Sequence, residues 1–281
     1  MLRRQAIATL FAAAAARAQD ALASFFEGAH GTAVLVDATT RRAIAVHAPE
    51  SAGRLVVPPG STIKPFSIAA LLESGKLRPS DTFRCPGELT IAGRNLACSH
   101  PRDLPPMQAR TAIAYSCNCF VAHYAALFEP GELMRALLRF RLFAPTEWVR
   151  EEAVGEPGRA DVRLQALGED GVLVTPAGLT MAYQRLAVAC GRISISPILG
   201  GLEDAVAFGT AQRARVEGLK VAGKTGSVRT VDGAHLAWFA GFAPSTAPKY
   251  VVVAMVQGRS GGADAAPIAG RILEAAWRGR W

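Results

Sequence analysis

Three runs crowded into the last quarter of the chain constrain its fold more than any other feature. Val221 to Val228, Leu236 to Phe242 and Tyr250 to Gln257 are apolar, partly β-branched and of strand length. Their counterparts lie at the other end. Gly31-Thr32-Ala33-Val34-Leu35-Val36-Asp37 turns through Ala38-Thr39-Thr40-Arg41-Arg42 into Ala43-Ile44-Ala45-Val46-His47, the pattern of a β-hairpin. The middle reads differently. Helical spacing covers Phe66 to Leu72, Met107 to Ala114, Cys119 to Phe128 and Leu133 to Leu142, the last with Leu133, Leu137, Leu138 and Leu142 on one face. Thr175-Pro176 opens a further helix reaching about Cys190, with proline in its first turn, and Ala265 to Trp277 closes the chain as a helix. Residues 48–60, 81–106 and 144–172 show no clear periodicity. The economical architecture is α+β: one antiparallel sheet built from both chain ends, helices packed on it, and an all-helical lobe inserted at roughly 76–218.

Within that frame, Val57-Pro58-Pro59-Gly60-Ser61-Thr62-Ile63-Lys64-Pro65-Phe66 places Ser61 at the mouth of a helix and Lys64 one turn further on. A serine hydroxyl needs a base to become a nucleophile, and a lysine with a depressed pKa can be that base. The helix mouth also offers backbone N–H to a developing oxyanion. Two more stretches add to this. Tyr115-Ser116-Cys117-Asn118 breaks a helical segment and brings a second hydroxyl and an amide. Ala222-Gly223-Lys224-Thr225-Gly226-Ser227 brings a second lysine on a strand. Each has a structural explanation of its own: a helix cap with a surface lysine, a second cap, an edge strand. Together and in order they are hard to assign to chance.

The N-terminus reads as a secretory leader. Arg3 and Arg4 precede the apolar run Ala6 to Ala16, and Ala16-Arg17-Ala18 is a small-residue cleavage site. That divides the chain into a leader, 1–18, and one domain, 19–281. The Arg3-Arg4 pair is thin support for twin-arginine export. Removing Arg3, Arg4 and Arg17 lowers the formal charge from +8 to +5. The arginines are scattered and no nucleic-acid motif occurs, so the basic balance points to an anionic wall polymer or membrane surface instead. No later stretch suits a membrane span, so no transmembrane anchor is expected after leader cleavage. Export permits disulfides among Cys85, Cys98, Cys117, Cys119 and Cys190; a Cys85–Cys98 bridge around Gly87 and Gly93 is expected, and one thiol of five is left over. Cys117-x-Cys119 lacks zinc-knuckle spacing, and no metal or cofactor is expected.

The triplet Ser61-x-x-Lys64, Ser116-x-Asn118, Lys224-Thr225-Gly226 is similar to that of the penicillin-recognising serine acyl-transferases, penicillin-binding proteins and serine β-lactamases. The neighbourhoods extend the resemblance toward class B penicillin-binding proteins. They include Cys85-Pro86-Gly87 through Gly93-Arg94 to Cys98-Ser99-His100, then Thr175-Pro176, and His235-Leu236-Ala237-Trp238-Phe239-Ala240-Gly241-Phe242-Ala243-Pro244. The resemblance implies a β-lactamase/transpeptidase-like fold and a set of roles. Ser61 attacks the bond between two D-amino acids of a peptidoglycan stem peptide, or a β-lactam; Lys64 takes its proton; Ser116 relays a proton to the leaving group; Lys224 keeps the site electropositive. Asn118 holds the substrate amide, Thr225 its carboxylate, and Gly226 admits substrate backbone. Backbone N–H of Ser61 and Ser227 form the oxyanion hole, with Trp238 and Phe239 in the core.

Two features pull toward an exported β-lactamase: the absence of an N-terminal pedestal and the short spacings, 55 residues from Ser61 to Ser116 and 108 from there to Lys224. The residues specific to hydrolysis are missing. Asparagine occurs only at 95 and 118, so neither a Glu-x-x-Leu-Asn nor a Tyr-Gly-Asn motif is present, and Glu151, Glu152 and Glu156 read as a solvated loop. The expectation is a D,D-transpeptidase or D,D-carboxypeptidase; a class D-like β-lactamase and a non-catalytic wall-fragment or β-lactam sensor are the alternatives.

Overall fold

A computed structural model describes residues 22–149, 151–189 and 196–281. The expected leader and Cys190 lie outside the described residues. In chain order the elements begin with the hairpin β1 (Gly31–Asp37) and β2 (Ala43–His47), then α1 (Pro49–Arg54), a 3-10 turn (Gly60–Ile63) and α2 (Lys64–Glu73). The inserted part follows: β3 (Glu88–Ile91), β4 (Arg94–Ala97), α3 (Ala109–Ala114), α4 (Asn118–Ala125), α5 (Glu132–Arg139), β5 (Glu156–Pro157), α6 (Val162–Leu167) and β6 (Val172–Leu173). Then come α7 (Pro176–Ala189), α8 (Ser196–Ala207), β7 (Ala222–Arg229), β8 (His235–Ala243), β9 (Tyr250–Gln257) and α9 (Ala266–Trp277).

The five long strands form one antiparallel sheet in the order β2-β1-β9-β8-β7. Both chain ends therefore build it, as the strand patterns require. The join is between β1 and β9, in register from Gly31 opposite Val256 to Asp37 opposite Tyr250. Side chains alternate across the sheet, and both faces are apolar because both are covered. On one face Val34, Val36, Trp238, Ala240, Phe242, Val251 and Val253 meet α2, α7 and the inserted lobe. On the other, Ala33, Leu35, Phe239, Val252 and Ala254 meet Ile268, Ile272 and Leu273 of α9 and Leu22 and Phe26. Trp238 and Phe239 are fully buried, as expected.

Several local expectations change. The lobe expected to be all-helical also holds two short two-stranded sheets, β3–β4 and β5–β6; Glu88-Leu89-Thr90-Ile91 alternates, but four residues are too few to set a strand apart in the 81–106 stretch. The 48–60 loop contains α1, and α8 had no sequence expectation. In α5, Leu133 and Leu137 are buried but Leu138 is 54% exposed. Five residues of helix turn it well away from Leu133, and Ala136 takes the inward position instead. The expected Cys85–Cys98 disulfide is not formed. Those sulfurs lie 3.7 Å apart as thiols, and Cys98 also contacts Cys117 at 3.8 Å and Cys119 at 3.6 Å. The fold places four sulfurs in one pocket, so Cys85 is not the sole partner of Cys98. No helix among the described residues is long and apolar enough to cross a membrane.

Candidate active site

The 3-10 turn that carries Ser61 is clamped from four sides. The Gly60 N–H donates to the Gly168 carbonyl (3.0 Å). Thr62 Oγ1 donates to the Pro59 carbonyl (2.7 Å), and the Thr62 carbonyl accepts from Tyr183 Oη of α7 (2.8 Å). Edge strand β7 lies on the fourth side. Gly60 has φ +53, and a Cβ there would sit 3.2 to 3.4 Å from the backbone of Ser227. A Cβ on Gly226 would lie 2.8 Å from the Pro59 carbonyl and 3.0 Å from Thr62 Cγ2. Two bare glycines thus let the turn and the strand approach backbone to backbone, which brings the residue before Ser61 against Ser227.

Lys64 opens α2 and is fully buried. Its Nζ donates to the Ser116 carbonyl (2.7 Å), to Asn118 Oδ1 (2.5 Å) and to Ser116 Oγ (3.2 Å). Ser116 sits between α3 and α4 with φ +56, a costly conformation for a non-glycine residue. That turn swings both its carbonyl and its hydroxyl toward the lysine. From the opposite wall, the buried Lys224 Nζ reaches Ser116 Oγ at 2.8 Å. Ser61, Ser116, Asn118, Thr225, Gly226 and Ser227 line one cavity of about 220 Å³, with the two lysines behind its wall. All eight residues expected at the site therefore converge.

Some contacts differ from the expected ones. Among the described residues no hydrogen bond joins Lys64 Nζ to the Ser61 hydroxyl; the amine is engaged by Ser116 and Asn118. Catalytic contacts of this kind commonly tighten only around substrate. Asn118 is also committed at its other end, its Nδ2 donating to the Ala97 carbonyl (2.9 Å) and leaving one N–H for a ligand. Thr225 Oγ1 donates to Thr210 Oγ1 (2.8 Å), and Ser227 Oγ accepts from the Gly261 N–H (3.0 Å).

Burial lowers the pKa of Lys64 to about 8, opposed in part by the electrostatic influence of Cys117, Cys98 and Glu169. Lys224 falls well below the ordinary lysine value, through burial first and the charge of Lys64 second. Two buried ammonium ions sharing one hydroxyl repel each other, so the pair disfavours double protonation.

Six further residues line the cavity without having been assigned to the site from sequence: Ala97, Ser99, Glu169, Thr210, Ser260 and Gly262. Glu169 follows Gly168, which caps α6 in a left-handed conformation, as glycine commonly does at a helix end; that cap was the available sign in the unpatterned 144–172 stretch. The Gly168–Gly60 hydrogen bond seats this carboxylate beside the nucleophile turn. Burial raises its pKa, while Arg94 (3.2 Å) and Lys64 oppose the rise. Glu169 and Arg94 also line an adjoining groove of about 530 Å³ with Pro58, Glu156, Arg159 and Arg229. Behind the Ser116–Asn118 turn, donor atoms of Cys85, Cys98, His100 and Cys117 all lie within 4.8 Å of one another. Linear spacing gave no metal motif because the donors come from separate segments.

The family model for the penicillin binding protein transpeptidase domain matches residues 31–190 and 194–274. The peptidoglycan D,D-transpeptidase PbpA of Mycobacterium tuberculosis is 28% identical over 275 residues, covering 79% of this chain and 55% of the relative. The probable peptidoglycan D,D-transpeptidase PenA of Neisseria flavescens is 26% identical over 255 residues, covering 76% and 62%. The chain thus spans between half and two thirds of those proteins. In fold it is similar to PBP2 of Pseudomonas aeruginosa, solved in complex with WCK 5153, with a TM-score of 0.81 and 20% identity over 93% of this chain and 76% of that one. A peptidoglycan glycosyltransferase from Burkholderia ambifaria gives 0.81 and 22% over 94% and 93%.

Proposed function

The chain belongs to the penicillin-binding protein transpeptidase domain family, and from that premise we propose that it is an exported serine D,D-acyltransferase acting on peptidoglycan stem peptides and acylated by β-lactams. One observation carries the reading: Ser116 Oγ lies between Lys64 Nζ and Lys224 Nζ in the wall of the cavity that holds Ser61. Ser61 Oγ attacks the carbonyl carbon and its proton passes to neutral Lys64. The developing oxyanion accepts from the Ser61 and Ser227 amides, a pair of the kind worth about 10²–10³ in rate for each donor. As the C–N bond breaks, the leaving nitrogen takes a proton from the Ser116 hydroxyl, which Lys64 or Lys224 replaces. Thr225 receives the substrate carboxylate, Lys224 behind the wall sets the local charge, and substrate backbone lies along the free edge of β7 beside Gly226. The adjoining groove with Arg94, Arg159 and Arg229 takes the remainder of the stem peptide.

The acyl-enzyme is released to water or to an amine. Glu169 favours a hydrolytic component: a carboxylate beside the nucleophile turn, with its proton affinity raised by burial, suits a base that activates water. Carboxylation of Lys64 in the class D manner is disfavoured, because three oxygen acceptors already surround Nζ.

Intact-mass spectrometry after incubation with a penicillin tests the reading. The expected result is one adduct on Ser61, absent from Ser61→Ala, together with release of D-Ala from a synthetic D-Ala-D-Ala peptide. An adduct without any peptide turnover would favour a sensor, and no adduct with several β-lactams would overturn acyl transfer.

A further inference from the structure

The side-chain cluster behind the Ser116–Asn118 turn has geometry that the acyl-transfer chemistry does not use. Cys98 contacts the sulfurs of Cys85 and Cys117 at 3.7 and 3.8 Å. With Zn–S bonds of about 2.3 Å, tetrahedral coordination separates two thiolates by about 3.8 Å. A disulfide would join two of these sulfurs at about 2.05 Å and leave the others outside it. The histidine is prepared in the same sense. The Pro101 carbonyl can only accept, so His100 Nδ1, 2.9 Å away, carries the proton and donates. The lone pair is then on Nε2, which is buried and has no hydrogen-bond partner. His100 itself is 7% exposed. A ring nitrogen held by a backbone carbonyl, with the other turned inward and free, is the arrangement of a metal-ligating histidine.

Two of the three sulfurs are also met by backbone N–H. Gly87 donates to Cys85 (3.2 Å) and Phe120 to Cys117 (3.4 Å). Such donors stabilise thiolate ligands in an outer shell.

We propose that Cys85, Cys98, Cys117 and His100 Nε2 bind one Zn²⁺ in a closed, structural tetrahedral site. Binding releases the three thiol protons to solvent and forms three Zn–S bonds and one Zn–N bond. Cys119, outside the four-donor set, stays a neighbour of Cys98. The site joins two segments that build the catalytic wall. Cys98 directly follows Ala97, whose carbonyl orients Asn118, and Cys117 lies between Ser116 and Asn118. The cation thus fastens the end of the β3–β4 hairpin to the turn that presents both catalytic groups, and its role is positional.

The test is the metal content of the full chain, purified without added metal or chelator and then dialysed against Zn²⁺, read by inductively coupled plasma mass spectrometry. About one equivalent of zinc is expected, falling below about a tenth in Cys98→Ser and His100→Ala and persisting in Cys119→Ser. Because ligand variants can misfold, the intact wild-type chain is also loaded with Co²⁺. Tetrahedral ligand-field bands with thiolate-to-cobalt charge transfer are expected, and zinc should displace them. Less than a tenth of an equivalent in the wild type would overturn the proposal, as would an octahedral cobalt spectrum. A Cys85–Cys98 disulfide in the isolated chain, two hydrogens lighter by mass, would overturn it equally.

Discussion

Lys224 Nζ and Ser116 Oγ, 108 residues apart in the chain, meet at 2.8 Å inside the protein. The contact links the edge of the sheet to the inserted lobe across the cleft, and it gives Ser116 a second amine neighbour besides Lys64. Ser116→Ala removes the relay while leaving both lysines buried. General acid–base groups of this kind contribute about 10²–10⁴ in rate, so the second-order rate of acylation by a fluorescent penicillin is expected to fall about 10²-fold or more. A change under about threefold in stopped-flow measurements would remove Ser116 from the mechanism.

The pH dependence follows from the direction in which burial moves Lys64. Its pKa lies at about 8, and only the neutral amine can accept the Ser61 proton. Acylation should therefore rise with pH, about tenfold per unit below pH 7, and level off above about 8. A rate profile that is flat or falls between pH 6 and 8 contradicts that role. Lys64→Arg, which stays charged, should stay near background throughout.

The backbone approach of β7 to the nucleophile turn gives a structural prediction. In Gly226→Ala, the new methyl meets the Pro59 carbonyl and Thr62 Cγ2, and backbone cannot move aside as a flexible side chain can. Overpacking of this kind costs about 1–3 kcal/mol, or several degrees of Tm for a domain of this size. Acylation should fall as well, since the turn must move off Ser227. Calorimetry showing unchanged Tm would mean that the turn has slack that the backbone contacts argue against.

Much of this was legible in the chain, and the reasons are local. The sheet could be read because β9 and its neighbours are long and apolar on both faces, and because a polar turn joins the two apolar runs of the β1–β2 hairpin. Ser61, Lys64, Ser116 and Lys224 could be read because acyl transfer needs those residue types at fixed spacing within each motif. The β3–β4 hairpin could not, since its strands are only four residues long and their alternation is too brief to stand out. Glu169 and the four-donor cluster were hidden for another reason. Each depends on segments that only the tertiary fold brings together, so no spacing announces them. Leu138 was misassigned because leucines five apart resemble a stripe when they are counted and not turned through a helix.

Tyr183 tests how the sheet-facing helix supports catalysis. Its hydroxyl donates to the Thr62 carbonyl at 2.8 Å, and its ring stands edge-on to Phe66 at 5.2 Å. Tyr183→Phe keeps the ring and leaves a buried carbonyl without that donor. A buried acceptor left in this way costs about 1–3 kcal/mol, so urea unfolding should show a loss of that order with an unchanged m-value. Acylation should weaken less than in Ser116→Ala.

Glu169 is the residue with which the proposed fate of the acyl-enzyme can be tested. The Gly60–Gly168 hydrogen bond ties the residue before it to the one before Ser61, and its carboxylate shares the cavity with Ser61, Ser116 and Asn118. Glu169→Gln preserves size and leaves an amide oxygen for Arg94, but it cannot take a proton from water. Acylation should stay within about threefold of wild type, while the penicilloyl adduct, followed by intact mass over time, should persist about 10²-fold longer. The split between the two rates is the informative quantity, because a merely structural role would slow both. An adduct that decays at the wild-type rate would leave activation of the acceptor to Lys64 alone.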